Sequence, residues 1–593
     1  MDTTVRGSGY RKDIDGLRAI AVIAVIIFHF GYLSNGYLGV DVFFAISGYL
    51  ITRIVYAEVL EQRFTVVQFY LRRIRRIIPL VLFTTSIAVI IGLFVMLPDD
   101  LENLCQSVVA TNFFANNILL LITTGGYWNI VNEYKPLMHT WSLGIEEQFY
   151  LVYPLIFLVF SGKRVRAILP ILLLLSVASL YMFVASSNAA AKFYSIQFRF
   201  FELSLGGVAA IIFKDKKLNA ALKTVLLIVI IAILAFNIPL PADIKLLIIV
   251  FASILVLATQ NSDKVSSLIL ENKVMVGIGK ISFSLYMWHQ IILAYTRYIV
   301  LPKYTVPEAL VVIFIIVILS ILSYYFIEQP FRNKKRIKTS SLLWITGFVF
   351  MLSTAFSFYL YSIGAVLRDV PELELVRGKN KMNLAGAKRN IHNEYNDKIY
   401  DLDRPFSVDS SKTRVLIIGN SYARDWANIL LESKYGSGIE ISYIFDYKSC
   451  KDLDERFGRA NYIFFSELAK EELASISQKF TLDTAKVWNI GTKNFGANNG
   501  VFYNKKHNAA YCLQRTEIAR LYLEQNDVMK KEWGDRYIDL IGIVIDKEDK
   551  MPVFTTDCKF ISQDGRHLTH GGAVYFARLL EKSKYFRSGL SGL

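Results

Sequence analysis

The chain is poor in the residues that hold metal ions, since its 593 residues include only four cysteines and seven histidines. No Cys-x-x-Cys pair and no histidine cluster with metal-ligand spacing occurs, so the sequence predicts no metal site. Internal repeats are missing, and no small-residue cleavage site follows the first apolar run, which argues against a cleaved signal peptide. Cys450, Cys512 and Cys558 lie in the C-terminal third, and their odd number allows at most one disulfide there.

A long continuous run of basic residues is also absent, although the formal net charge is +16. The lysines and arginines stand in short clusters between apolar runs, for example at 72–76 and 332–338. Such clusters are typical of cytoplasmic loops in membrane proteins, and they argue against a nucleic-acid partner. A hydrophobic content of 53% and a mean hydropathy of +0.38 predict a membrane part joined to a soluble part.

Eleven apolar segments are each about long enough to cross the ~30 Å of hydrocarbon in a bilayer. They lie at 14–33, 38–57, 77–97, 143–160, 167–186, 195–213, 221–238, 243–259, 281–300, 307–327 and 341–363. With a cytoplasmic N-terminus, the basic clusters fall on the cytoplasmic side and the loop 98–136 falls outside. We therefore predict a ten-span domain over 1–335 and an additional transmembrane helix over 336–363, which leaves the rest of the chain outside.

The composition changes after the last predicted span. Residues 364–410 are polar and poorly periodic, and they are predicted to be a linker. Beyond them, strand-like runs at 413–418, 441–447 and 486–492 alternate with helical stretches such as 464–478. This alternation predicts an α/β domain with a parallel sheet over 411–593.

A serine and an Asp-x-x-His pair are the candidate chemistry of this domain. Ser421 follows Gly419-Asn420 directly after the apolar run VLIIG, where a strand-to-helix turn can expose a nucleophilic hydroxyl. Asp564 and His567 are three residues apart, so a local turn lets the carboxylate orient the imidazole. A plain turn and a surface hydrogen bond are the alternatives for the two pieces taken singly.

The segments GNSYARD and DGRH make this domain resemble the SGNH hydrolase family. The resemblance implies that Ser421 is the nucleophile, His567 the base and Asp564 its orienting partner. It also implies an oxyanion-hole role for Asn494 in the segment GTKN, although Gly491 and Asn494 are one residue further apart than the family's Gly-x-Asn. His570 is the competing base, and no residue is assigned to the family's second-block glycine.

The first apolar segment carries two ionisable residues, Arg18 and His29. They are eleven residues apart, which at about 100° per residue puts them within ~20° of one face of a helix. Ionisable groups inside a membrane span are costly and usually line a site, so we predict a shared interior for both side chains. A structural polar pair between helices is the alternative.

The first ~330 residues resemble the acyltransferase family three of integral membrane enzymes. The motifs that carry the resemblance are DGLRAIAVIAVIIFH, GVDVFFAISGYLIT, RRIRRIIP, HTWSLGIEEQFYLVYP and SFSLYMWH. It implies that acetyl-CoA is the acyl donor, with its phosphates held in an arginine-rich cytoplasmic turn by Arg72, Arg73, Arg75 and Arg76; setting topology is the alternative role for these four. His29 would be general base or transient acyl carrier, and Glu146 or Glu147 would face the same cavity. His139 and His289 are weaker candidates.

The two resemblances together imply an O-acetyltransferase of the bacterial inner membrane, with a periplasmic C-terminal domain. Its predicted acceptor is a lipid-linked or surface polysaccharide, first the O-antigen of lipopolysaccharide and second peptidoglycan. One rival reading is a transporter fused to a carbohydrate acetylesterase. Another is a catalytically idle glycan-binding domain, which the intact set of Ser421, Asp564 and His567 argues against.

Overall fold

The computed structural model describes residues 10–124, 133–160, 162–214, 218–300, 304–378, 391–408, 411–506 and 508–583. The chain divides into two compact units. The first unit comprises 1–94, 103–297 and 303–359. The second comprises 95–102, 298–302 and 360–593.

Helices account for the regular structure between residues 12 and 362 of the described chain. They are α1 Lys12–His29, α2 Gly39–Leu60, α3 Val66–Val95, α4 Pro98–Asn112, α5 Asn116–Thr124, α6 Thr140–Val159, α7 Ile168–Ala185, α8 Ala189–Tyr194, α9 Ile196–Ile212, α10 Ala220–Ala235, α11 Ala242–Ala258, α12 Lys264–Leu270, α13 Lys273–Lys280, α14 Ser282–Ile299, α15 Val306–Ser323, α16 Gln329–Arg332 and α17 Thr339–Ser362. A π-helical turn, Tyr324–Glu328, joins α15 to α16.

Each of the eleven predicted spans overlaps one of these helices. Among the residues described, seven helices are long and apolar enough to cross a membrane. They are α2, α3, α6, the α7 helix with its preceding turn, α9 with α8, α15 with α16, and α17. A membrane domain is therefore confirmed, while the count of ten spans plus one stays a prediction.

The prediction of an arginine-rich turn before the third span is wrong. Helix α3 already begins at Val66, so the four arginines lie on its first turns instead of in a loop. The segment 66–78 contains no glycine or proline, and arginine is a good helix former, so nothing ends the helix there. The predicted loop 98–136 likewise contains the helices α4 and α5.

Small residues let α2 and α9 pack closely. A Cβ atom on Gly48 would lie 1.8 Å from the carbonyl oxygen of Leu203, and one on Gly206 would lie 2.3 Å from that of Ala45. Backbone contact of this kind is a common way for helices to associate where lipid removes the hydrophobic drive. The helix α17 instead leaves apolar side chains such as Trp344 exposed, as a lipid-facing helix does.

The second unit contains a sheet of five parallel strands in the order β2-β1-β3-β4-β6 and a separate antiparallel pair, β5 and β7. Its elements are α18 Ile391–Asp397, β1 Thr413–Ile418, α19 Ser421–Glu432, β2 Ile439–Ile444, α20 Leu453–Arg459, β3 Tyr462–Ser466, α21 Lys470–Lys479, β4 Val487–Ile490, α22 Asn499–Tyr503, β5 Arg515–Glu517, α23 Arg520–Trp533, β6 Tyr537–Ile538, β7 Lys550–Pro552 and α24 His570–Glu581. The predicted parallel sheet is confirmed.

One helix prediction in this unit is wrong at its start. The helix predicted over 464–478 overlaps β3, because Tyr462–Ser466 pairs with β1, and helix α21 begins only at Lys470. The sequence YIFFS is a short apolar run rich in aromatic residues, which favours a strand buried on both faces. The disulfide joins Cys512 to Cys558, and neither Cys105 nor Cys450 takes part in a disulfide among the described residues.

Candidate functional site

Ser421 stands on a sharp turn between β1 and α19. Gly419 has φ +135°, and a Cβ atom there would lie 2.1 Å from the Ser466 hydroxyl, so only glycine fits. The Asn420 side chain caps α19 by accepting a hydrogen bond from the Tyr422 amide at 2.9 Å. Ser421 is thus the first residue of the helix, at the carboxyl end of β1, and its side chain is partly exposed.

The Asp564 carboxylate holds His567 in a defined orientation. Its Oδ2 lies 2.7 Å from His567 Nδ1, and its Oδ1 accepts the backbone amides of Arg566 and His567 at 3.0 and 2.9 Å. Desolvation raises the pKa of this carboxyl, but the hydrogen bonds and the charge of His567 outweigh it and lower the pKa to about 2. Because an ionised carboxylate only accepts, Nδ1 carries the proton, and in the neutral imidazole Nε2 is then the nitrogen with the lone pair.

The remaining predicted residues of this domain differ in their partners. Asn494 is buried, and its Oδ1 accepts the Gly496 amide at 2.9 Å, which leaves the amide nitrogen as the group able to donate to an oxyanion. His570 pairs with Glu374 at 3.0 Å and with Glu432 at 3.6 Å, not with Asp564. Among the described side chains, no hydrogen bond joins the Ser421 hydroxyl to an imidazole.

The first unit holds a cavity among its helices. Arg18 from α1, Arg73 and Arg76 from α3, and Glu146 from α6 all line it. Glu146 accepts a hydrogen bond from Ser47 at 3.0 Å, and the Arg73 guanidinium lies 5.7 Å from the Tyr150 ring centre. The cavity therefore gathers three cations and one carboxylate from three helices.

Two of the four predicted phosphate-binding arginines point elsewhere. Arg72 pairs with Glu58 at 2.9 Å. Arg75 is buried and donates to the backbone oxygens of Phe331 and Ile337 at 3.0 and 2.9 Å, and also to Thr339. Because residues on one helix face every direction in turn, the cluster divides into Arg73 and Arg76 at the cavity and two structural arginines.

His29 is partly exposed and belongs to a cluster with two buried histidines, His139 and His289, which is not part of the cavity wall. Its ring centre lies 5.0 Å from that of His289, which in turn lies 5.3 Å from that of His139. The Tyr286 ring is 5.3 Å from both His139 and His289, and Tyr286 also lines the cavity. The shared interior predicted for Arg18 and His29 therefore consists of two neighbouring parts that meet at Tyr286.

The cluster has nitrogen atoms without partners. His29 Nδ1 and His289 Nδ1 lie 2.8 and 2.6 Å from helix carbonyl oxygens. Both nitrogens of His139 and Nε2 of His289 are buried with no hydrogen-bond partner among the described residues. Buried polar atoms are nearly always satisfied, so orphaned ones indicate a place for water, substrate or a transferred proton.

Sequence reasoning missed the buried pair of Asp425 and Lys493, which lies beneath Ser421. The two side chains form an ion pair and are 0% and 1% exposed. Lys493 stands within the segment GTKN, and Asp425 within GNSYARD, so both belong to motifs that the sequence already singled out. The available signal was Lys493 itself, because a charged residue that closely follows an apolar strand is often buried and then needs a partner of opposite charge.

Comparison with known proteins identifies a family for the first part of the chain. Residues 11–327, slightly more than half of the chain, match the family described as an acyltransferase domain. The O-acetyltransferase OatA of Staphylococcus aureus (strain NCTC 8325 / PS 47) is 32% identical over 351 residues, which are 55% of this chain and 58% of the relative. The peptidoglycan O-acetyltransferase OatA of Listeria monocytogenes is 32% identical over 356 residues, covering 56% of this chain and 57% of the relative.

The chain thus spans little more than half the length of the curated relatives it matches. No solved structure matches it. The family match contains the whole lining of the cavity and all three clustered histidines. It ends at residue 327 and so does not include residues 360–593, the main part of the second unit. The chain belongs to the acyltransferase domain family.

Proposed function

We propose that the chain is an O-acetyltransferase of the bacterial inner membrane. In this proposal it takes acetyl from acetyl-CoA on the cytoplasmic side and delivers it to a sugar hydroxyl of the cell envelope. The observation that carries the proposal is the arginine-lined cavity that meets the histidine cluster at Tyr286, inside the region that matches an acyltransferase domain.

The cavity suits the phosphates of acetyl-CoA. Arg18, Arg73 and Arg76 line it, and the buried Nε of Arg73 has no hydrogen-bond partner among the described residues. Guanidinium groups recognise phosphate through paired, charge-assisted hydrogen bonds. The donor set therefore fits a polyphosphate ligand, and we assign these three arginines to its binding. Glu146 lies in the same wall and is held by Ser47, ready to orient an arginine or a proton.

We assign proton handling in the first unit to the histidine cluster. His29 is the general base or the transient acyl carrier of the proposal, and His139 and His289 relay the proton that it takes up. The orphaned nitrogens of His139 and His289 support this role, because a relay needs a lone pair ready to accept. The rival reading as a transporter predicts no binding of acetyl-CoA.

We further propose that the second unit is an SGNH-type domain that completes the transfer. His567 takes the Ser421 proton while Oγ attacks the acetyl carbonyl, and it gives that proton to the departing donor group as the ester bond forms and the bond between acetyl and donor breaks. Helix α19 directs its N-terminal amides, and Asn494 its side-chain amide, at the oxyanion. A sugar hydroxyl then attacks the acetyl-serine, passes its proton to His567, and releases Ser421 when that proton returns to Oγ.

We propose that the acceptor is a sugar of the cell envelope. The name of the Listeria relative favours peptidoglycan, whereas the SGNH fusion favoured the O-antigen. With a cytoplasmic N-terminus the second unit would be periplasmic, where either polymer is within reach.

The test is the O-acetyl content of purified peptidoglycan and lipopolysaccharide, measured by NMR in cells that carry wild type, His29→Ala or Ser421→Ala at matched membrane levels. Loss of acetyl groups in both variants would support a relay through both units. Acetylation that survives only in Ser421→Ala would reduce the second unit to an accessory that presents the acceptor. Full acetylation in His29→Ala would overturn the role of the histidine cluster.

A further inference from the structure

The second unit contains a lysine and an aspartate that are more deeply buried than Ser421, Asp564 and His567. Lys493 follows β4, and Asp425 lies in the second turn of α19, the helix that Ser421 begins. They form a salt bridge at 1% and 0% exposure. Burial lowers the pKa of the Lys493 ammonium, and the charge of Asp425 opposes that effect.

Lys493 contacts the nucleophile turn directly. Its Nζ lies 3.4 Å from the backbone carbonyl oxygen of Ser421 and 4.9 Å from the centre of the Tyr422 ring. An ammonium group has three donors and no acceptor, so it is well suited to hold a carboxylate, a carbonyl oxygen and an aromatic face at once. The lysine thus fixes the first two residues of α19 from below.

Asp425 contacts the segment that carries the base. Its Oδ2 accepts the backbone amide of Leu568 at 2.8 Å, and Leu568 directly follows His567. Its Oδ1 lies 3.4 Å from the Arg424 guanidinium. The Leu568 carbonyl oxygen is held from the other side by Asn396 at 3.4 Å. The Asp425 carboxylate is therefore one of the direct ties between the base segment and α19.

Burying the Asp425–Lys493 pair costs desolvation free energy, so stability alone does not account for its presence. Removing two charges from water is expensive, and replacing a buried ion pair by apolar side chains is often neutral or stabilising. A buried pair is thus weak support for stability. In this unit it joins three segments, which carry the nucleophile, the predicted oxyanion donor next to Lys493, and the base.

We propose that Asp425 and Lys493 are positioning residues that set the alignment of Ser421 with His567. The proposal rests on the role of Ser421 as the nucleophile. Neither side chain touches the acetyl group. Their effect is on the rate at which the serine reacts, because a misplacement of about 1 Å in a catalytic group reduces rates by about 100-fold.

The test uses the full chain in detergent and the double variant Asp425→Asn, Lys493→Met. The oxygen of the introduced amide side chain still accepts the Leu568 backbone amide, while the ion pair and the contact with the Ser421 carbonyl are lost. We expect the rate of Ser421 labelling by a fluorophosphonate probe to fall about 10- to 100-fold. For hydrolysis of p-nitrophenyl acetate, kcat should fall by the same factor, and KM should stay within about twofold.

Arg456→Met is the matched control. Arg456 is a buried cation of the same unit that pairs with Asp403 and Asp452 at 2.8 and 2.9 Å. Its loss removes a buried cation that pairs with two partly exposed carboxylates, and it should leave the labelling rate unchanged. If the double variant does not fold, as judged by proteolysis and by the Cys512–Cys558 disulfide, the near-isosteric Asp425→Asn alone decides, with an expected decrease of about tenfold.

The two ways to fail are separable. Wild type labelled no faster than Ser421→Ala would overturn the nucleophile itself, and the proposed function of this unit with it. Wild type labelled at Ser421, with a folded double variant labelled at the same rate, would overturn only the positioning role. A decrease that Arg456→Met shares would likewise make the pair structural.

Discussion

The two units build their candidate sites in opposite ways. In the second unit, Asp564 and His567 are three residues apart, and Ser421 stands at the end of a strand. In the first unit, the cavity takes Arg18, Arg76 and Glu146 from three separate helices. The first kind of site is specified by local chain geometry, whereas the second exists only after helices have packed. A local motif can therefore be read from a sequence, and a packed site can be read only as a set of candidates.

The units also differ in how their polar groups are satisfied. Asp564 and His567 are 42% and 31% exposed, and the carboxylate accepts three hydrogen bonds. In the first unit, Arg73, His139 and His289 keep buried atoms without partners among the described residues. Unpaired buried groups are unfavourable unless a ligand or water completes them. The first unit thus leaves buried groups for an occupant to pair with, whereas Asp564 and His567 are already paired with each other.

The largest expected effect is that of His567→Ala. Without its base the Ser421 hydroxyl is a weak nucleophile, so labelling by a fluorophosphonate should fall by about 1,000-fold or more. Binding of acetyl-CoA by the full chain, followed by isothermal titration calorimetry, should not change. His570→Ala is the control, since His570 pairs with two glutamates. A larger loss in His570→Ala than in His567→Ala would exchange the roles of the two histidines.

His289→Phe tests the first unit while leaving the second unit unchanged, and it keeps a ring of similar size in the cluster. Loss of a proton relay reduces rates by about 100- to 10,000-fold, so envelope acetylation should fall within that range. Labelling of Ser421 should stay at the wild-type rate. Membrane levels of the variant, checked by immunoblot, separate loss of function from loss of protein. Normal acetylation in this variant would contradict the relay and limit the cluster to His29.

The residues in these predictions also illustrate how much of the sites the sequence could predict. Ser421, Asp564 and His567 could be chosen because short segments fix their geometry, and the parallel sheet followed from the alternation of strands and helices. The division of the arginines at 72–76 could not be predicted, because it depends on which side of α3 meets other helices. The strand at Tyr462–Ser466 was missed because the periodicity of a short apolar run does not separate a buried strand from a buried helix, and its aromatic content, which favours a strand, was not used.

A third test measures whether the arginines at the cavity and the structural arginines of α3 differ in binding acetyl-CoA. Arg76→Ala should weaken binding of acetyl-CoA by about 10- to 100-fold, since a charge-assisted hydrogen bond contributes about 1.5–3 kcal/mol. Arg72→Ala is the matched control, because Arg72 is on the same helix but pairs with Glu58, and its effect should stay below about threefold. Calorimetry on both variants measures the difference. Equal losses would mean that the whole cluster acts through its charge.

The smallest effect concerns Asp564 and the pH dependence of stability. Its folded-state pKa of about 2 lies below the value of about 3.9 for an unfolded aspartate. Its contribution to stability is therefore fully present above about pH 4 and is lost as the pH falls towards 2. Because the side chain is 42% exposed, solvent screening keeps that contribution below about 1 kcal/mol.

Wild type and Asp564→Asn should thus differ slightly in the unfolding midpoint of the second unit at pH 7, and the difference should shrink as the pH is lowered to 3. Intrinsic fluorescence of the full chain in detergent, recorded at both values, measures it. Labelling of Ser421 should fall in this variant at pH 7 by far more than the stability does, because the carboxylate fixes the proton on His567 Nδ1. A fall in stability without a fall in labelling would show that Asp564 is a structural residue. It would also contradict the claim that the local Asp564–His567 geometry specifies the site of the second unit.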